Sequence, residues 1–292
     1  MGGLFHSSFI RAQLLHGVLV PAAVAALVAA FSRAFASAVP GLGRRLARSV
    51  VPAAFLAGYF AVYRDFTLPP ATVLSWLPWL IAALAVAGSL PDRLRSAPLV
   101  QAGRVVASAA AAALLLWPIL RREGPLTAIP TWAGVTAAWS FLWVAARSRD
   151  VGRLPLAAAA LTASVGLALA APLSGSILLG QLAASLAVAL GAAIVLSYVT
   201  ASAGAIEGAG DTALLVLGTL LVDLRFYAAA GDEVVLGLVA SLAAGIAAAI
   251  AVSRRGLTGP WPVLVPVLIA LIPAGIAAGI ALRVSQAGGG AY

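Results

Sequence analysis

Long apolar blocks, separated by clusters of arginine, proline and glycine, run from one end of the chain to the other. A helix that crosses a hydrocarbon core roughly 30 Å thick needs about 20 residues. On that measure the pattern predicts an all-α, polytopic integral membrane protein of ten transmembrane helices, with a range of eight to ten, forming a single transmembrane domain over 1–292. The predicted spans are Leu14–Phe31, Val50–Tyr63, Ala71–Leu90, Val105–Leu120, Ile129–Ala146, Pro155–Ala171, Ser176–Thr200, Thr212–Val222, Val234–Val252 and Trp261–Leu282. Residues 1–12 read as an amphipathic lead-in and 285–292 as a flexible tail. Residues 14–32 are expected to stay as a helix instead of being cleaved as a signal, because the apolar run leads on into further spans.

Punctuation inside the pattern refines it. Arg48 and Arg64 bracket only fifteen residues, so the second span is short and relies on outward-reaching arginines for its length. Pro69-Pro70 breaks the chain before the third span, which starts with Trp76 and Trp79 where an aromatic belt belongs. Trp132, Trp139 and Trp143 fall on one face of the fifth span, a face expected to pack on neighbouring helices or lipid. The uncharged stretch from Leu154 to Ile206 is long enough for two spans joined by a tight turn at Pro172-Leu173-Ser174-Gly175. Gln181 and Ser185 in the second of these are expected to hydrogen-bond between helices. A division near Asp150 gives halves 1–150 and 151–292 with five spans each, a five-plus-five arrangement. The halves echo each other only in YRDF at 63–66 and DLRFY at 223–227, and no residue motif ties the chain to a family.

The eighth span does not fit the rest. Residues 204–233 hold five of the nine acids, and the apolar core between them, Thr212–Val222, covers only about 16 Å as a helix. Lengthening it toward the C-terminus takes in Asp223 and Arg225; lengthening it the other way takes in Asp211 and Glu207. Aspartate cannot snorkel, so a carboxylate at membrane depth needs a partner, a water-filled cavity or a proton. Asp223 and Arg225 are two apart and do not face each other, which leaves Tyr227 at i+4, another helix or water as the partner of Asp223. Glu207 and Asp211 would share a helical face and repel, but Gly204, Gly208 and Gly210 favour a hydrated loop there. The candidate intramembrane polar site is therefore Asp223, Arg225, Tyr227, Glu207, Asp211 and Gln181.

Composition narrows the function classes. With 63% apolar and 9% charged residues and a mean hydropathy of +1.07, the chain is a bilayer protein. All eighteen basic residues are arginine and asparagine is absent, usage that points to a GC-rich bacterial genome. The net charge of +9 sits at span edges and not in a stripe, which fits lipid phosphates and excludes a nucleic-acid footprint. Without cysteine there is no thiolate metal site, Fe–S cluster or thiol nucleophile, and His6 and His16 would stand about 15 Å apart on one helix. No cofactor and no metal are expected.

Twelve arginines fall in the connectors after odd-numbered spans and six elsewhere, so the positive-inside rule predicts a multi-pass protein of the inner (cytoplasmic) membrane with both termini outside. Clustered acids, histidines or a nucleophile at an interface are lacking, as are the two aspartate-rich motifs of UbiA-type prenyltransferases, so an enzyme is not expected. The expected function is that of a transporter or permease working around Asp223 and the proline-kinked last span. The alternative is a non-catalytic accessory subunit of a larger membrane complex, whose partners beyond lipid would be other membrane subunits or further copies of the chain.

Overall fold

The computed structural model describes residues 15–38, 40–64, 68, 70, 72–89, 97–146, 151–200, 204–228 and 230–288. The lead-in with His6, the connectors carrying Asp92, Arg93, Arg95, Arg147, Arg149 and Asp150, and residues 289–292 lie outside them.

Alanine- and leucine-rich blocks are strong helix formers, and the described residues are helical without a strand. In chain order the helices are α1 (Val20–Ala38, led in by a π turn at Leu15–Leu19), α2 (Pro40–Arg48), α3 (Val50–Val62) and α4 (Leu77–Ser89, led in by a 3-10 turn at Leu74–Trp76). There follow α5 (Ala97–Leu120), α6 (Pro125–Ala146), α7 (Arg153–Leu173), α8 (Ile177–Thr200), α9 (Gly204–Glu207), α10 (Ala209–Phe226), α11 (Asp232–Arg254) and α12 (Trp261–Gly288). Helix α12 thus runs three residues beyond Ser285, where a loose tail was expected.

Eight helical stretches among the described residues are long and apolar enough to cross a membrane: Leu15–Ala36, Gln101–Leu120, α6, α7, Ile177–Val199, Ala205–Phe226, α11 and Trp261–Ala287. This is a polytopic, all-helical membrane architecture. The second and third expected spans are not among these eight. Helix α3 has 13 residues, about 20 Å, while α4 is described for 13 residues up to Ser89, next to residues 90–96 that lie outside the described set. Helices α2 and α3 meet at a bend of 45° and make a ninth crossing only if taken together. Tyr59 of α3 donates to the Leu74 carbonyl at 3.0 Å, and Tyr63 meets Thr72 at 2.8 Å, so the far end of α3 is tied to the near end of α4.

Helix α10 lies at the centre, touching α3 through α8 and also α11. Together with α7 it is the most enclosed of the spans, 72% of its apolar window being buried, against 22% for α12. Neighbouring pairs run antiparallel. Helices α7 and α8 are joined by Ser174–Ser176, with Gly175 at φ 94°. The Ser176 N–H donates to Ala171 and the Gly175 N–H to Pro172, the paired bonds of a Schellman cap. The same pair of bonds, Leu257 to Val252 and Gly256 to Ser253, ends α11 with Gly256 at φ 60°.

Helices α7, α11 and α12 meet along a seam of alanine and glycine, where backbone approach replaces side-chain volume. Ser241 of α11 donates across it to the Ala270 carbonyl of α12 at 2.8 Å. A Cβ on Gly245 would stand 2.6 Å from the Ala159 Cβ and 3.2 Å from that of Ala270, whereas one on Gly275 would meet nothing within 4 Å. Overpacking the seam is expected to cost about 1–3 kcal/mol. Gly245→Val should therefore lower the thermal unfolding midpoint of the purified protein by several degrees and Gly275→Val by little; equal midpoints would refute the seam.

Candidate functional site

The acids of the eighth span are not in a hydrated loop. The chain is helical from Gly204 to Glu207 and again from Ala209 to Phe226, with the break at Gly208. Both acids that the expected loop contained are held by partners that the sequence does not reveal. Glu207 accepts from Arg48 Nε at 2.6 Å through Oε2 and pairs with Arg153 Nη1 through Oε1, so each carboxylate oxygen has its own guanidinium. This ion triad joins the bend between α2 and α3, the break before α10 and the start of α7. Gly208 lies directly against the Arg48 carbonyl, leaving no room for a side chain.

One turn on, Asp211 accepts from Trp143 Nε1 at 2.8 Å. Trp139 of the same helix α6 donates to the Leu214 carbonyl at 3.2 Å, and its indole covers Gly218, where a Cβ would collide with the ring. Two of the three tryptophans thus pack on α10, as expected of a face that meets neighbouring helices. Trp132 leaves the set and donates to Ala109 of α5 at 3.0 Å.

Asp223 lies twelve residues beyond Asp211, about 18 Å along the axis and near the opposite end of the span. Its neighbours in sequence, Val222 and Leu224, and Leu220 nearly a turn back are buried apolar residues, and this end of α10 is tied to α5 through Tyr227 and the Leu115 carbonyl. Asp223 is 8% exposed, and its carboxylate forms no hydrogen bond or ion pair among the described residues. The two nearest candidate partners are committed elsewhere. Arg225 binds Asp232 at the start of α11. Tyr227 donates its hydroxyl to the Leu115 carbonyl at 2.7 Å. Burial pushes the Tyr227 phenol above its usual range, the nearby Asp223 adds to that, and Arg122 opposes it. Gln181, on α8, is partly buried; its carbonyl accepts from Ser185, which also donates to Gly17 at 3.3 Å, while its amide side chain has no partner among the described residues.

The six candidate residues therefore fall into three places: Glu207 and Asp211 at one end of the central helix, Asp223 with Arg225 and Tyr227 at the other, and Gln181 on a separate helix. No group of three histidine, aspartate or glutamate side chains among the described residues could hold a metal ion. Sequence reasoning missed Arg48 and Arg153 as partners, since 159 residues separate Arg48 from Glu207. It also missed the hydroxyls of Ser108 on α5 and of Thr136 and Ser140 on α6, which are buried without a partner among the described residues. Two shallow grooves indent the surface, one at Tyr198, Pro260 and Leu264 and one at Glu123, Ile129 and Trp132; Asp223 lines neither.

No known protein family, curated protein or solved structure matches the chain.

The triad is partly solvated, with side-chain exposures of 18% for Glu207, 40% for Arg48 and 52% for Arg153, so screening keeps its contribution to about 1 kcal/mol. Glu207→Gln should lower the unfolding midpoint measurably at low salt and by less at high salt. Asp232→Asn, at the more exposed Arg225 pair, should leave it nearly unchanged. A Glu207 effect no larger than that of Asp232 would remove the triad from the account.

Proposed function

We propose that the chain is a membrane transporter or permease whose working site is the Asp223 region of α10. The observation that carries this reading is a buried carboxylate, without a counter-charge or a hydrogen-bond donor, on the helix that seven others enclose. An unpaired charge in an apolar surrounding costs several kcal/mol, and an acid kept there without a structural partner is the signature of a group that binds something in use. Backbone interruptions at Gly208 and between α2 and α3 are discontinuities of the kind carriers contain, although they lie at the opposite end of α10 from Asp223, about 22 Å along the axis.

Counting α3 and α4 as two short passes restores ten, with five on each side of Asp150. Arginine then collects at the end that holds Arg48, Arg153 and Arg254, the end we assign to the cytoplasm, and both termini lie outside. Lipids are the surrounding partners, covering α12 at Leu268, Ile272 and Ile276.

The test uses sealed vesicles containing the purified protein, challenged with pools of small charged metabolites under imposed ion gradients. At least one pool should move faster than in empty vesicles, and Asp223→Asn should reduce that flux about tenfold or more, a loss equivalent to about 1.4 kcal/mol. Equal flux in the wild type and the variant would remove Asp223 from the mechanism.

One observation favours the second reading, a non-catalytic subunit of a larger assembly: neither surface groove reaches Asp223. Mild extraction from native membranes separates the two. Other chains recovered in fixed stoichiometry would support the subunit, and the chain recovered alone or as a homo-oligomer would support the carrier.

A further inference from the structure

Resting on the reading of Asp223 as the working site, we infer that the ion this site takes is a proton and not a metal cation. The ground is the number of oxygens available. A bare alkali or alkaline-earth ion needs about six oxygen ligands to replace its water. Asp223 offers one carboxylate in an apolar setting. Asp211, the other acid of α10, stands about 18 Å away along the axis, and no group of three histidine, aspartate or glutamate side chains among the described residues could hold a metal ion. The Thr219 hydroxyl one turn before Asp223 donates to the Leu215 carbonyl at 3.0 Å and the Tyr227 hydroxyl to the Leu115 carbonyl, so both are directed at main-chain oxygens and not at the Asp223 carboxylate. A proton needs a single oxygen lone pair, and it turns the unpaired charge into a neutral acid that suits its surroundings.

Charged groups around Asp223 leave this choice undisturbed. From its own helix, Tyr227 faces it and Arg225 turns away to Asp232. From α5 and the turn after it, Arg122 acts on Tyr227. Helices α3, α4, α6, α7, α8 and α11 place no ion-pair or hydrogen-bond partner on the carboxylate among the described residues.

Infrared spectroscopy of the full-length protein in lipid tests this directly, because a protonated carboxyl has a C=O stretch that a carboxylate lacks. At mildly acidic pH the wild type should show such a band. Carbon-13 aspartate should shift it, and Asp223→Asn should remove it. In Asp223→Glu, which keeps an acid in place if the asparagine variant fails to fold, the band should no longer respond to labelled aspartate. Alkaline pH should bleach the band, and sodium or calcium at constant pH should leave it unchanged. Absence of the band at mildly acidic pH, or its loss on adding either metal, would overturn the proton assignment. The outcome is separable from the transport reading. A band with the expected behaviour beside unchanged flux in Asp223→Asn would leave the proton site standing and the carrier role refuted. Lost flux without the band would do the reverse.

Discussion

Three carboxylates on one apolar helix set the terms for the fold. Helix α10 and its lead-in α9 carry Glu207 and Asp211 at a partly solvated end and Asp223 buried near the other, and each acid is accommodated separately. The first two are reconciled by other helices. Arg48 and Arg153 reach Glu207 from the ends of α2 and α7, and Trp143 reaches Asp211 from α6. These bonds add polar ties between helices that are also packed through apolar side chains, as α1 and α3 are against α8. Asp223 has no such partner among the described residues.

The rest of the packing relies on size instead of charge. Along α7, α11 and α12 the contact residues are Ala159, Gly166, Gly245, Ala270, Ala274 and Ala277, and Gly166 and Gly245 lie close enough to facing alanines that an added methyl would collide. In lipid no hydrophobic gain accompanies helix association, so close approach and a few interhelical hydrogen bonds such as Ser241 to Ala270 do the holding. The large apolar side chains of α12 are turned outward, where in a soluble protein they would have made the core.

Much of this architecture was legible in the pattern of apolar blocks, and the failures have physical causes. Eight of the expected spans appear as long apolar helices because Leu, Ala and Val runs leave no alternative in a bilayer. The second proved short: Arg48 and Arg64 did bracket too few residues, and Pro40–Arg48, which reads as a connector, forms a helix that meets α3 at a bend. The turn at 172–175 was readable from Pro, Ser and Gly. The hydrated loop at Glu207 was misjudged because local glycine content argued against helix, while the arginines that stabilise the helical form sit far away in sequence. Spacing put three tryptophans on one face; it could not say that two would meet α10 and the third α5.

The capped turns after α7 and α11 bear on how the protein is made. Each closes a connection between long apolar helices within a few residues, so α7 with α8 and α11 with α12 can enter the bilayer as hairpins whose register is set locally and early. Helix α10 has no such hairpin partner. Its wall comes from segments synthesised well before it and from α11 immediately after it, and until they close around it the translocon would hold a segment whose acids leave only about 16 Å of apolar helix between them. Biogenesis is thereby biased toward a late commitment of the central helix, with the outer pairs already seated in lipid.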